Sequence, residues 1–136
     1  MSGRQSPLVV DAQRVKLTEG LRAPARARAW IAEQIGDVPA QLLDDALLIA
    51  SELVTNAVRY GRPEVVLGLL PLDDGIRIEV SDSGETMPRM SAEPPSQDRL
   101  GGRGLVIVAS TAADWGVAPH DPPPGKTVWV QLVVPR

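Results

Sequence analysis

Three short stretches of this chain hold residue types that do chemistry. In "SELVTNAVRYG", Ser51–Gly61, a glutamate and an asparagine, Glu52 and Asn56, stand four residues apart. On a helix that is one turn, so they share a face. Either they are the wet side of an ordinary helix, or they face something that needs a carboxylate and an amide. In "VSDSG", Val80–Gly84, Asp82 falls in phase with Ile76, Ile78 and Val80. A carboxylate in an apolar phase is costly unless something hydrogen-bonds to it. It can accept from a ligand's amino group, with Gly84 leaving room for a flat ligand; equally, the strand can end first and make Asp82 a turn residue. In "GGRGLVIVAS", Gly101–Ser110, three glycines in four residues lead an apolar run. Such a loop can aim backbone N–H groups and a helix dipole at an anion, or serve as a hinge before a core helix.

The elements that must hold these residues follow from the pattern. Pro24 suits a first helical turn, and Ala25–Ile35 reads as a short helix stopping near Gly36. Pro39 opens a second helix to about Tyr60, with Gly61 as its stop. On that helix Asp45, Leu48, Glu52, Asn56 and Arg59 share one face, while Leu43, Ala46, Leu47, Ala50, Leu53, Val54 and Ala57 fill the other. The wheel alone makes the first face a solvated one. Leu8–Val10 reads as the start of a strand and Val65–Leu70 as a buried one. Asp73, Asp74 and Gly75 make a hairpin turn into the alternating strand Ile76–Ser81. Ser83–Leu100 is a long loop of Pro, Ser, Gly and charge, a length usually tied to function or disorder. A helix is expected from Gly101 to Ala113. Trp115–Ala118 and Thr127–Val134 close the chain as strands across a proline-rich loop. Trp30, Trp115 and Trp129 read as core or interface residues, and His120 as plain surface.

Composition narrows the function classes. The chain has 136 residues, no cysteine and one histidine, so thiolate and imidazole-rich metal sites are excluded. Its formal net charge is -3 with no basic run, which gives no electrostatic case for nucleic acid. No apolar stretch is long enough to span a bilayer and the first ten residues lack the form of a signal peptide, so a soluble cytoplasmic protein is expected. Phe is absent, so the core must be aliphatic. Residues 1–7 read as a loose tail and 8–136 as a single domain. Two other phosphate-binding patterns fail on their residues. "GRGLVI", from Gly102, lacks the third glycine of the dinucleotide fingerprint. "HDPPPGKT", from His120, has His where a Walker loop needs Gly, three prolines without N–H, and a strand after it.

Taken in order, "ELVTNAVRYG", "DSG", "GGRG" and "GKTVW" resemble the N, first-glycine, second-glycine and third-glycine boxes of the GHKL ATPases. The nearest likeness is to the stand-alone branch of anti-sigma-factor serine kinases and related actinobacterial regulators, and it covers about Val38–Val134. The resemblance implies the Bergerat fold, a two-layer α/β sandwich with helices on one face of a mixed sheet, binding ATP and Mg²⁺. By the same likeness Glu52 is the general base and Asn56 the Mg²⁺ ligand. Asp82 reads the adenine amino group, Gly84 lies under the purine, Gly102 and Gly104 are lid glycines near the phosphates, and Thr127 backs the adenine pocket. Glu85–Leu100 would be the lid. The family's serine kinases carry an arginine just before the second-glycine box. Here Leu100 stands there, leaving Arg99 or Arg103 to reach the γ-phosphate. The expected function is transfer of that phosphate to a serine of an antagonist protein, with a sigma factor as a further partner and a homodimer as the assembly. The competing expectation is a non-catalytic ATP-binding module that works by contact, which Leu100 favours and the intact Glu52 and Asn56 oppose.

Overall fold

The structure, a computed structural model, describes residues 11–85 and 112–134. The strand expected at Leu8–Val10, the glycine-led helix, and Arg99, Gly102, Arg103 and Gly104 lie outside those residues.

Two helices cover one face of a five-stranded sheet. The strands are β1 (Gln13–Leu17), β2 (Val65–Leu72), β3 (Gly75–Asp82), β4 (Asp114–Pro119) and β5 (Lys126–Val133), ordered β1-β2-β3-β5-β4. The helices are α1 (Ala23–Gln34), entered through a short 3₁₀ turn with Pro24 in its first turn, and α2 (Ala40–Tyr60). The two-layer α/β sandwich expected from the resemblance is present. Every pair of described strands is antiparallel, however, where a mixed sheet was expected. The reason is local. β2–β3 and β4–β5 are hairpins, and β5 runs back along β3.

Strand alternation assigns the two faces. Ile76, Ile78, Val80 and Asp82 of β3 are buried, as are Lys126, Val128, Val130 and Leu132 of β5. Against them α2 lays Leu42, Ala46, Ile49, Ala50, Leu53, Val54 and Ala57, a helical stripe. With no Phe, packing falls to Leu, Ile and Val, and Trp30 of α1 supplies the one buried aromatic ring among the described residues. On the opposite face Trp129 lies half-buried beneath the Arg77 guanidinium, 4.3 Å from ring centroid to charge. Its cross-strand neighbour is Gly116, where a Cβ would stand 2.6 Å from the indole ring. Trp115 is exposed instead, so the three tryptophans divide between core, outer face and surface.

The β2–β3 turn forms as read: Leu72 pairs with Gly75 across Asp73 and Asp74. Gly75 admits no side chain, because a Cβ would fall 1.8 Å from the Leu132 carbonyl oxygen of β5. β1 is an element the sequence did not announce. Val15 and Leu17 face inward between charged Arg14 and Lys16, and among the described strands β1 pairs with β2 alone.

Candidate functional site

Asp82 ends β3 at the point where α2 stops. Its carboxylate is buried, at 3 % exposure, so the in-phase reading holds and the turn-residue alternative does not. Three N–H donors converge on Oδ1: the backbone of Gly84 at 2.7 Å, the backbone of Arg62 at 3.2 Å, and Lys126 Nζ at 3.1 Å. Lys126 Nζ also donates to Oδ2 at 2.9 Å. The lysine is itself buried, so this is an ion pair shielded from water. Such a pair stands only when its geometry and hydrogen bonds are good, and removing one partner strands the other.

Two glycines make that burial possible. A Cβ on Gly61, the residue that closes α2, would sit 2.4 Å from Asp82 Oδ1. One on Gly84 would meet the same oxygen at 3.0 Å and Gly61 Cα at 3.0 Å. The two backbones therefore close around the carboxylate with no room for a side chain between them. Ser83 N–H donates to the Arg62 carbonyl at 3.0 Å, which ties the two segments together.

Glu52 and Asn56 lie further back along α2. At about 1.5 Å of rise per residue, Asn56 is roughly 7.5 Å and Glu52 roughly 13.5 Å from Gly61 along the axis. Both were placed on a face that the wheel made solvated. Instead, Glu52 Oε2 and Asn56 Nδ2 are buried without a hydrogen-bond partner among the described residues. Burial pushes the Glu52 carboxyl above the ordinary glutamate range, because the charged form loses water and gains nothing in exchange. A buried polar atom left unpaired costs about 1–3 kcal/mol, so such an atom calls for a partner, a water or an ion among them. The ends of an amide are alike in shape, and a half-turn of the Asn56 side chain puts its oxygen where the orphan nitrogen now stands. A hard cation suits that oxygen. Among the described residues no group of three or more acidic or histidine side chains forms a cage, so a cation here would draw most of its ligands from elsewhere.

Thr127 is the correction. In the β3–β5 register it pairs with Ser81, whereas Lys126 pairs with Asp82. Thr127 therefore stands on the sheet face away from the helices, opposite to that of the Asp82 carboxylate. Its hydroxyl is 2.9 Å from Ser81 Oγ and 3.0 Å from His120 Nε2. His120 is thus no bland surface residue: it ties the β4–β5 loop to the sheet, with its N–H donating to the Gly125 carbonyl at 2.9 Å. Gly125 has φ +112, and a Cβ there would meet His120 Nδ1 at 2.5 Å and the Asp82 carbonyl at 2.6 Å.

Lys126 and Gly61 are the residues that sequence reasoning missed. The signal for Lys126 was available. Reading the alternation of β5 backward from Leu132 through Val130 and Val128 puts Lys126 in the buried phase.

Residues 17–132 match the family model described as a histidine kinase-like ATPase domain. A search of curated proteins finds none that matches. No helix among the described residues is long and apolar enough to cross a membrane.

Proposed function

The chain belongs to the histidine kinase-like ATPase family, and from that premise we propose that it is an ATP-dependent protein serine kinase of the anti-sigma type. The observation that carries the reading is the pair of buried polar ends on α2, Glu52 Oε2 and Asn56 Nδ2, that find no partner among the described residues, on the helix that stops at the buried Asp82. ATP would be held with its base at Asp82 and its phosphates toward Asn56 and Glu52. Asp82 accepts from the amino group of the base, Gly84 lies against its ring, and Asn56 turns its amide oxygen toward Mg²⁺. The metal, when bound, neutralises charge on the phosphates. Glu52 holds the proton of the acceptor hydroxyl as its oxygen attacks. A carboxyl raised by burial is a stronger base when ionised, which suits that task. The acceptor in this reading is a serine on a small antagonist protein. A sigma factor is a second partner, the cytoplasm the setting and a homodimer the assembly.

The test is incubation with γ-labelled ATP and candidate antagonist proteins. Glu52→Ala should bind Mg-ATP nearly as well as the native chain while losing ~10²–10⁴-fold in transfer rate. Transfer at the native rate in that variant contradicts the mechanism.

A second reading has its own support. Leu100 stands where the family's serine kinases carry arginine. A non-catalytic module that holds ATP and acts by contact would keep Asp82 and Asn56 in their roles. In that case Glu52→Ala has no phenotype.

A further inference from the structure

The hydrogen-bonding capacity around Asp82 has two openings left. A carboxylate offers about four lone-pair positions over its two oxygens. Oδ1 receives three N–H groups, from Gly84, Arg62 and Lys126, and is saturated. Oδ2 receives one, from Lys126, and retains a free acceptor position among the described residues. The Lys126 ammonium has three protons. Two go to the oxygens of Asp82. For the third, the nearest described acceptor is the Gly84 carbonyl at 3.4 Å, longer than an ordinary N–H···O bond. A free acceptor and a weakly used donor therefore stand side by side, where Gly61 and Gly84 pack against Asp82.

That pair matches one edge of a nucleobase. Adenine presents an exocyclic N–H donor at N6 beside a ring acceptor at N1. We propose that Lys126 is a second base-reading residue, donating to N1 of adenine while Asp82 Oδ2 accepts from N6. This inference rests on the reading of the chain as an ATP-binding domain. It assigns Lys126 a role in specificity beyond holding Asp82, because a bond from a charged donor discriminates against any base without an acceptor at N1. Binding displaces only the long contact to Gly84 and leaves the buried pair whole, so recognition does not require a charge to be exposed.

The experiment compares ATP with 1-deaza-ATP, in which N1 is replaced by C–H, by titration of the native chain. The expected result is a loss of tenfold or more for the deaza nucleotide, the worth of one hydrogen bond to a charged group. In Lys126→Met the gap between the two nucleotides should close, which a merely structural lysine would not produce. Where that variant does not fold, Lys126→Gln keeps a neutral N–H against Asp82, and its gap should be smaller than the native one. Equal affinity of the native chain for ATP and 1-deaza-ATP overturns the proposal while leaving ATP binding intact. A gap that is unchanged in the folded variant also overturns it. Binding of neither nucleotide defeats the ATP-binding reading, and this one with it.

Discussion

Two carboxylates, Glu52 on α2 and Asp82 on the strand end where α2 stops, are treated in opposite ways. Asp82 is buried and held in place: four hydrogen bonds from three residues, an ion pair, and two glycines cleared to let backbone close in, with one acceptor position on Oδ2 left among the described residues. Glu52 is partly buried and incomplete, with an oxygen that finds no partner among the described residues. On the proposed reading, the difference separates recognition from reaction. A group that reads a fixed edge gains from being locked in place before the ligand arrives. A group that must handle a proton, with a metal ligand beside it, is left open so that the ligand completes it. The protein accepts a local cost at Glu52 and Asn56 that binding would remove.

The largest expected effect falls on the finished end. Lys126→Met leaves Asp82 buried without its counter-charge, and should lower unfolding free energy by about 3–5 kcal/mol. Chemical denaturation checks it. A loss below ~1 kcal/mol would mean that water reaches Asp82 and that the ion pair is an ordinary surface one. The unfinished end should respond to ligand. Mg-ATP at ~100 times its Kd should add about 2.7 kcal/mol of stability, roughly 5–10 °C in Tm for a domain of this size. No thermal shift would remove the contrast, because the orphaned ends would then be plain defects. Gly61→Ala comes next. Its methyl would drive into Asp82 Oδ1 and the Ala57 carbonyl, which should cost about 1–3 kcal/mol and weaken ATP binding alongside stability.

The smallest effect carries a sign. The Glu52 carboxyl is raised in the folded chain, so the folded state holds its proton more tightly than the unfolded state does. Glu52 then costs nothing in acid, where both states are protonated. The cost appears as pH rises through the unfolded value and is complete above the folded one. Glu52→Gln should therefore gain little at pH ~4 and more at pH ~8. A gain that shrinks with rising pH would mean that Glu52 has a cationic partner.

Much of this was legible in sequence. Most of the α2 stripe, the Pro24 and Pro39 starts, the Gly61 stop and the two-residue turn before Gly75 follow from periodicity and local chemistry, although Leu42 and Ile49 are buried where Leu43 and Leu47 were expected. The burial of Asp82 was one of two readings that the strand's phase left open, and the structure selects it. What failed did so for physical reasons. β1 is five residues of an edge strand with charges between its apolar positions, a pattern that short loops share. Thr127 was placed by box order, one residue away from the register that decides faces, and a slip of one residue reverses every side chain. Glu52 and Asn56 defeated the helical wheel because a wheel reports direction and cannot report what lies in that direction. Gly61 was read as a helix stop, and its second duty, clearing space for Asp82, depends on a contact across the fold.

The central claim is that the open end, at Glu52 and Asn56, is the metal-and-phosphate half of an ATP site, with Asn56 supplying the protein's ligand. The measurement that tests it most directly is ATP titration, with and without Mg²⁺, of the native chain and of Asn56→Ala. The account predicts that Mg²⁺ strengthens ATP binding to the native chain, and that this strengthening is lost in Asn56→Ala while metal-free ATP still binds both through Asp82. Equal strengthening by Mg²⁺ in the two proteins would contradict it.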